Sequence, residues 1–233
     1  MTPRIPEPGL VVFDVNETLS DMAPIAERFA DLGVGGHLAD VWFASLLRDG
    51  FALTAAGAPQ PFATVAEGLL RVILARTSPD SGLEAAVAHV LDGLATLGVH
   101  PDVPEGIEAL AAAGHRMITL SNGSADVAER LLAACGMRRH FEACLSVEDA
   151  GAWKPARAAY LHAAAVCEVA PARMLMVAVH PWDIDGASRA GLRTAWIDRG
   201  ARPYPGYFAA PDVTVDVLTD LPEHLEASPA PPG

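Results

Sequence analysis

Asp14, Ser121, Lys154 and Asp183 are the residues of this chain whose types and positions suit one shared reaction. Asp14 directly follows the apolar run Leu10-Val-Val-Phe13, the pattern of a strand buried on both faces of a parallel sheet. A carboxylate is costly at the end of a buried strand unless something there uses it. On that stretch alone, Asp14 reads equally as a turn or capping aspartate ahead of a helix. The other polar groups change the weighing. Ser121-Asn-Gly-Ser124 follows the apolar run Met117 to Leu120, Lys154 precedes a proline, and His180-Pro-Trp-Asp183 follows Met174 to Val179. Taken singly, Ser-Asn-Gly is more often a turn and Lys-Pro is usually surface. Ligands of open parallel sheets bind outside the carboxyl ends of the strands, so residues far apart in sequence meet there. Together these groups offer a carboxylate nucleophile, hydroxyl and amide donors, and a cation to hold an anion.

The elements that must position them follow from hydrophobic pattern. Short apolar strands are expected at 10–13, 117–120, 143–147, 174–179 and 194–197, with an edge strand at 213–217. Helices are expected at 105–113, 125–135 and 156–166, with a shorter one from Gly186 to Gly191. Between Leu19 and His100 no strand pattern occurs. Helical spacing covers 21–32, 38–53, 63–75 and 83–97, with loops at 54–62 and 77–82. The fold class is therefore α/β: a doubly wound parallel sheet with an inserted helical cap. The expected division is a Rossmann-like core at 1–19 and 101–226, a cap at 20–100, and a disordered Pro/Ala-rich tail at 227–233.

Composition narrows the partners. With 51% hydrophobic and 19% charged residues the chain can bury a large core. A formal net charge of −13 disfavours nucleic-acid binding, which needs clustered Lys and Arg. It leaves room for a small anionic substrate held by a local group of donors. Cys135, Cys144 and Cys167 lack metal-ligand spacing and read as buried thiols of a reducing compartment. Neither a signal segment nor a membrane-spanning run is recognisable, so a cytoplasmic location is expected.

The ordered motifs resemble those of the haloacid dehalogenase superfamily: Asp14-x-x-x-Thr18, Ser121 after a strand, Lys154, then the acidic loop at Asp183. The resemblance covers residues 9–20 and 101–200, and the helices between match by size and position. Most members are magnesium-dependent phosphatases with a second Asp two residues after the nucleophile. Here that residue is Asn16, which cannot act as an acid, and Val179 stands where a metal-binding carboxylate is usual. A hard Mg2+ ion needs several oxygen ligands. Asp185 is the one substitute, although an Asp in a first helical turn is more often a dipole partner. The resemblance therefore implies no metal and no other cofactor.

Within the superfamily, Ser121-Asn122-Gly-Ser124, Trp153-Lys154-Pro155 with Tyr160, and Trp182-Asp183 look most like the L-2-haloacid dehalogenases. That likeness implies an Asp14 ester formed by displacing halide from a small 2-haloalkanoate. Hydrolysis of the ester would then give the inverted 2-hydroxy acid. It also implies that Ser121 and Lys154 hold the substrate carboxylate, that Asp183 helps activate water, and that Thr18 and Asn16 orient Asp14. A homodimer is a further expectation of the resemblance. The halide-cradling Arg that usually follows a cap-helix Trp is replaced: Phe43 follows Trp42, and the next arginine is Arg48. For Arg48 the reading as a solvated surface residue outweighs that of a halide ligand. His180 replaces an Asn of the branch and either positions water, accepts its proton, or fills the space. Trp42, Phe43 and Trp182 read as packing residues compatible with a pocket wall, beside Asn122 and Tyr160. Two other functions compete: a phosphatase or other hydrolase of the superfamily, and a non-catalytic small-acid binder.

Overall fold

A computed structural model describes residues 5–75, 82–201 and 203–225. The expected loop at 77–81 and the tail at 227–233 lie outside the described residues. Six parallel strands form one sheet: β1 (Leu10–Phe13), β2 (Met117–Ser121), β3 (Ala143–Ser146), β4 (Met174–Ala178), β5 (Arg193–Ile197) and β6 (Val213–Val215). Their order is β3-β2-β1-β4-β5-β6. The chain builds outward from β1 to β3, then returns to the other side of β1 for β4. This reversal makes the β1/β4 edge the topological switch point, where a crevice opens beyond the strand ends. Phe13 pairs with Thr119 on one side and with Val177 on the other, so Asp14 leaves the sheet at that crevice.

The helices are α1 (Pro24–Asp31), α2 (Leu38–Ala55), α3 (Phe62–Leu74), α4 (Leu83–Ala95), α5 (Val103–Ala112), α6 (Ala125–Ala134), α7 (Arg157–Val166) and α8 (Pro181–Ala190). Strand alternation sorts their contacts. Val11, Phe13, Leu175 and Val177 pack with Ile107 and Leu110 of α5 and Leu132 of α6. Leu10, Val12, Met174 and Met176 pack on the other face with Tyr160 of α7 and Ile184 of α8. The same second cluster continues without a break into α1–α4 through Trp42, Leu46 and Phe62. Among the described residues, no helix is long and apolar enough to cross a membrane.

Sequence and structure differ chiefly at α8. It starts at Pro181, not Gly186, because a proline at the first helical position gives up an N–H that has no partner there anyway. Gly191 ends it in the left-handed conformation, φ 96°. The shift places Asp183 inside the first turn rather than in a loop.

Gly50 is where α2 meets the core. A Cβ built there would lie 2.3 Å from ring atoms of the buried Trp153. Alanine ordinarily stabilises a helix interior over glycine by about 0.5–1 kcal/mol. Overpacking against a fixed indole costs more, about 1–3 kcal/mol. Gly50→Ala is therefore expected to lower the denaturant midpoint, and an unchanged or raised midpoint would contradict this packing.

Candidate active site

Lys154 is the centre of the site. Its side chain has no solvent exposure, and its ammonium donates to Asp14 Oδ1 at 2.8 Å and to Asp183 Oδ2 at 2.7 Å. A buried ammonium survives only with such partners. The backbone that carries it is fixed by Asn122, whose Oδ1 accepts the Lys154 N–H at 2.9 Å and whose Nδ2 donates to the Lys154 carbonyl at 3.4 Å. The structure thus gives Asn122 a positioning role on Lys154, because both ends of its amide are engaged.

Asp14 is held from its other side as well. Oδ2 accepts the Thr18 hydroxyl at 2.7 Å, and Thr18 in turn accepts the Val179 N–H at 3.2 Å. Burial works to raise the Asp14 pKa. The Lys154 ammonium, the nearby His180 and the two hydrogen bonds outweigh it, and hold the carboxyl below its ordinary value. Asp183 goes the other way: its burial, reinforced by the charge of Asp14, exceeds the help from Lys154 and raises it. Lys154 itself ends above the ordinary lysine value, since two carboxylates overcome its burial. Of the two acids, Asp14 is the one whose ionised form its surroundings favour.

Both oxygens of Asp183 are occupied, Oδ2 by Lys154 and Oδ1 by the Tyr160 hydroxyl at 2.6 Å. Asp183 is fully buried, and through these two contacts it joins Lys154 to Tyr160. Tyr160 is correspondingly a support of Asp183 within the core rather than a pocket-facing residue. Burial together with Asp183 pushes its hydroxyl well above the ordinary tyrosine value, so it stays a donor.

Ser121 is buried, and its Oγ accepts the Gly123 N–H at 2.9 Å. His180 lies near Asp14 at the start of α8: Nε2 is 3.2 Å from the Asn16 carbonyl, 3.5 Å from Glu17 Oε2 and 3.7 Å from Asp14 Oδ2. Its ring stacks on Trp182, centroids 4.9 Å apart, and faces Phe43 at 6.4 Å. Trp182 is braced edge-on by Phe51. A cleft of about 680 Å3 reaches His180 and is walled by Glu17, Met22, Ala39, Trp196 and Arg199.

Two candidates are not brought to the site. Arg48 is two-thirds exposed and bonded to Asp49, its own neighbour. Trp42 is fully buried, packs on Phe29, and spends its indole N–H on the Ala66 carbonyl. Neither can contact a ligand beside Asp14 without leaving those partners. Asp185 is likewise committed, to Arg189 at 2.7 Å and to the Ala209 N–H at 2.9 Å.

Two further residues of the site lie outside the expected set. Arg199 follows the end of β5, donates to the Thr18 carbonyl at 3.0 Å and pairs with Asp102. The strand-end rule that singles out Asp14 applies to it equally. Glu17 adopts φ 62°, a conformation uncommon for a non-glycine residue and frequent at functional sites. No pattern in the sequence announces that.

Residues 8–191 match the family model of the haloacid dehalogenase-like hydrolases. Haloacetate dehalogenase H-2 of Moraxella sp. (strain B) is 33% identical over 127 residues, 54% of this chain and 56% of that protein. The chain thus spans little more than half the length of such curated relatives. Solved structures are similar over nearly all of it. A dehalogenase with an intermediate complex is 27% identical with a TM-score of 0.86, covering 95% of this chain and 98% of the other. The L-2-haloacid dehalogenase of Xanthobacter autotrophicus with chloropropionic acid covalently bound is 26% identical with a TM-score of 0.80, covering 92% and 97%.

Proposed function

Because the chain belongs to the haloacid dehalogenase-like hydrolases, we propose that it hydrolyses the carbon–halogen bond of a small (S)-2-haloalkanoate through an ester on Asp14. The observation that carries this reading is an ionised aspartate held between Lys154 and Thr18 without the groups phosphoryl transfer requires. Asn16 offers no leaving-group acid, Val179 no metal ligand, and Asp185 is bound to Arg189 and the Ala209 amide. A metal-dependent phosphatase is thereby disfavoured.

Asp14 attacks the carbon bearing the halogen, the halide leaves with the bonding pair, and configuration inverts there. Water then attacks the Asp14 Cγ, the ester C–O bond breaks, and the 2-hydroxy acid departs as Asp14 returns to a carboxylate. Lys154 keeps Asp14 charged before attack, and has a third N–H beyond its two carboxylate bonds for the substrate carboxylate. Ser121, whose Oγ accepts the Gly123 N–H, offers its hydroxyl hydrogen as a second donor to that carboxylate. Residues 20–100 act as a cap, with Phe43 of α2 set against the His180 ring beside the site.

The test is halide release from (S)-2-chloropropionate with EDTA present, beside release of phosphate from an aryl phosphate with Mg2+. Halide release that persists in EDTA is expected. Magnesium-dependent phosphate release without halide release would overturn the proposal.

A further inference from the structure

We propose that His180 is the N–H donor that bears the developing oxyanion when the Asp14 ester is hydrolysed, rather than the base that activates water. The assignment rests on the Asp14 ester proposed above. Three oxygens surround Nε2: the Asn16 carbonyl at 3.2 Å, Glu17 Oε2 at 3.5 Å and Asp14 Oδ2 at 3.7 Å. A lone pair aimed at three acceptors would be repelled, so Nε2 carries the hydrogen in either charge state of the ring. The ring cannot easily turn away, being stacked on Trp182 and faced by Phe43.

Asp14 Oδ2 already accepts the Thr18 hydroxyl at 2.7 Å, and Nε2, whose hydrogen the Asn16 carbonyl accepts at 3.2 Å, lies 3.7 Å from the same oxygen. One donor on Oδ2 and a second within reach of it favour this oxygen as the ester carbonyl, leaving Oδ1 as the attacking atom. When water adds to Cγ, Oδ2 takes the negative charge, and the 3.7 Å approach shortens into a hydrogen bond, as catalytic contacts commonly do. Collapse of that intermediate breaks the Cγ–Oδ1 bond. The electron pair goes to the product oxygen, which takes one proton of the added water, and the other is released to solvent from the restored Asp14 carboxyl as it returns to a carboxylate. Asp183 spends one oxygen on Lys154 and the other on Tyr160 and has no solvent exposure.

Rapid mixing of (S)-2-chloropropionate with wild type, His180→Ala and His180→Asn separates the steps, with halide and 2-hydroxy acid followed independently. In His180→Ala the first equivalent of halide should appear at the wild-type rate. Hydroxy acid should then slow by ~10²–10³-fold, the usual effect of losing one oxyanion donor, while a mass increase of the Asp14 peptide accumulates. His180→Asn keeps an N–H donor but cannot act as a base, and should hydrolyse the ester within about tenfold of wild type. An Asn variant as slow as the Ala variant would overturn the assignment in favour of a base. A slowed halide burst in His180→Ala would move His180 to the leaving group and equally overturn it. Unchanged kinetics would reduce His180 to packing. Absence of any Asp14 adduct in every protein, with turnover intact, would instead remove the ester itself and this role with it.

Discussion

Asp14→Asn is expected to lower turnover of (S)-2-chloropropionate by about 10⁴-fold or more, the order seen when a nucleophile is lost. The argument is local. Asparagine has the same shape, its Oδ1 can still accept from Lys154, and the Thr18 hydroxyl can rotate to accept from its amide. What disappears is the negative charge that Lys154, His180 and Thr18 hold on Asp14 below the ordinary carboxyl pKa. The Lys154–Asp183 pair remains, so the variant should still unfold in one cooperative transition below the wild-type midpoint, checked by halide assay and calorimetry on one preparation. Retained turnover would mean that another group attacks.

Lys154→Met should act on stability and activity together. It leaves Asp14 and Asp183 buried against each other with no cation between them. Removing one partner of a buried ion pair costs about 3–5 kcal/mol. The pH dependence has a definite sign. In wild type, Asp14 titrates below its unfolded value, so its contribution is present above that value and lost as pH falls through the folded one. In the variant the unpaired carboxylates are raised instead. Their burden is relieved below the unfolded carboxyl pKa and grows as pH rises through the folded values. Between pH 7 and pH 5 the denaturant midpoint of the variant should move toward wild type. A constant gap would show that the lost group was not balancing buried carboxylates. The raised pKa of Lys154 means that the wild-type contribution is fully present below the unfolded lysine value, and lost only as pH rises through the higher folded one.

The fold was legible because its signals are local. Buried strands show as unbroken apolar runs, and Gly114, Gly136 and Gly191 punctuate helices where they take positive φ. The strand-end rule then brought Asp14, Lys154 and Asp183 to one rim, and they do form one ion cluster. The spacing left undetermined where each side chain spends its hydrogen bonds. Asn122 and Tyr160 looked like pocket residues by motif, yet one clasps the Lys154 backbone and the other holds Asp183. Trp42 and Arg48 sit on the correct helix but turn toward Ala66 and Asp49. Such choices are set by contacts between distant segments, which periodicity does not encode. The backbone of Glu17 is hidden for the same reason.

The fate of the water oxygen distinguishes attack at Asp14 from attack at the substrate. In a single turnover with enzyme in excess over (S)-2-chloropropionate in H₂¹⁸O, attack at Cγ should place the label in the Asp14 carboxylate. The first molecule of 2-hydroxy acid should then be unlabelled. Label found in the hydroxy acid and absent from the Asp14 peptide would mean that water attacks the substrate carbon directly, and would contradict Asp14 as nucleophile.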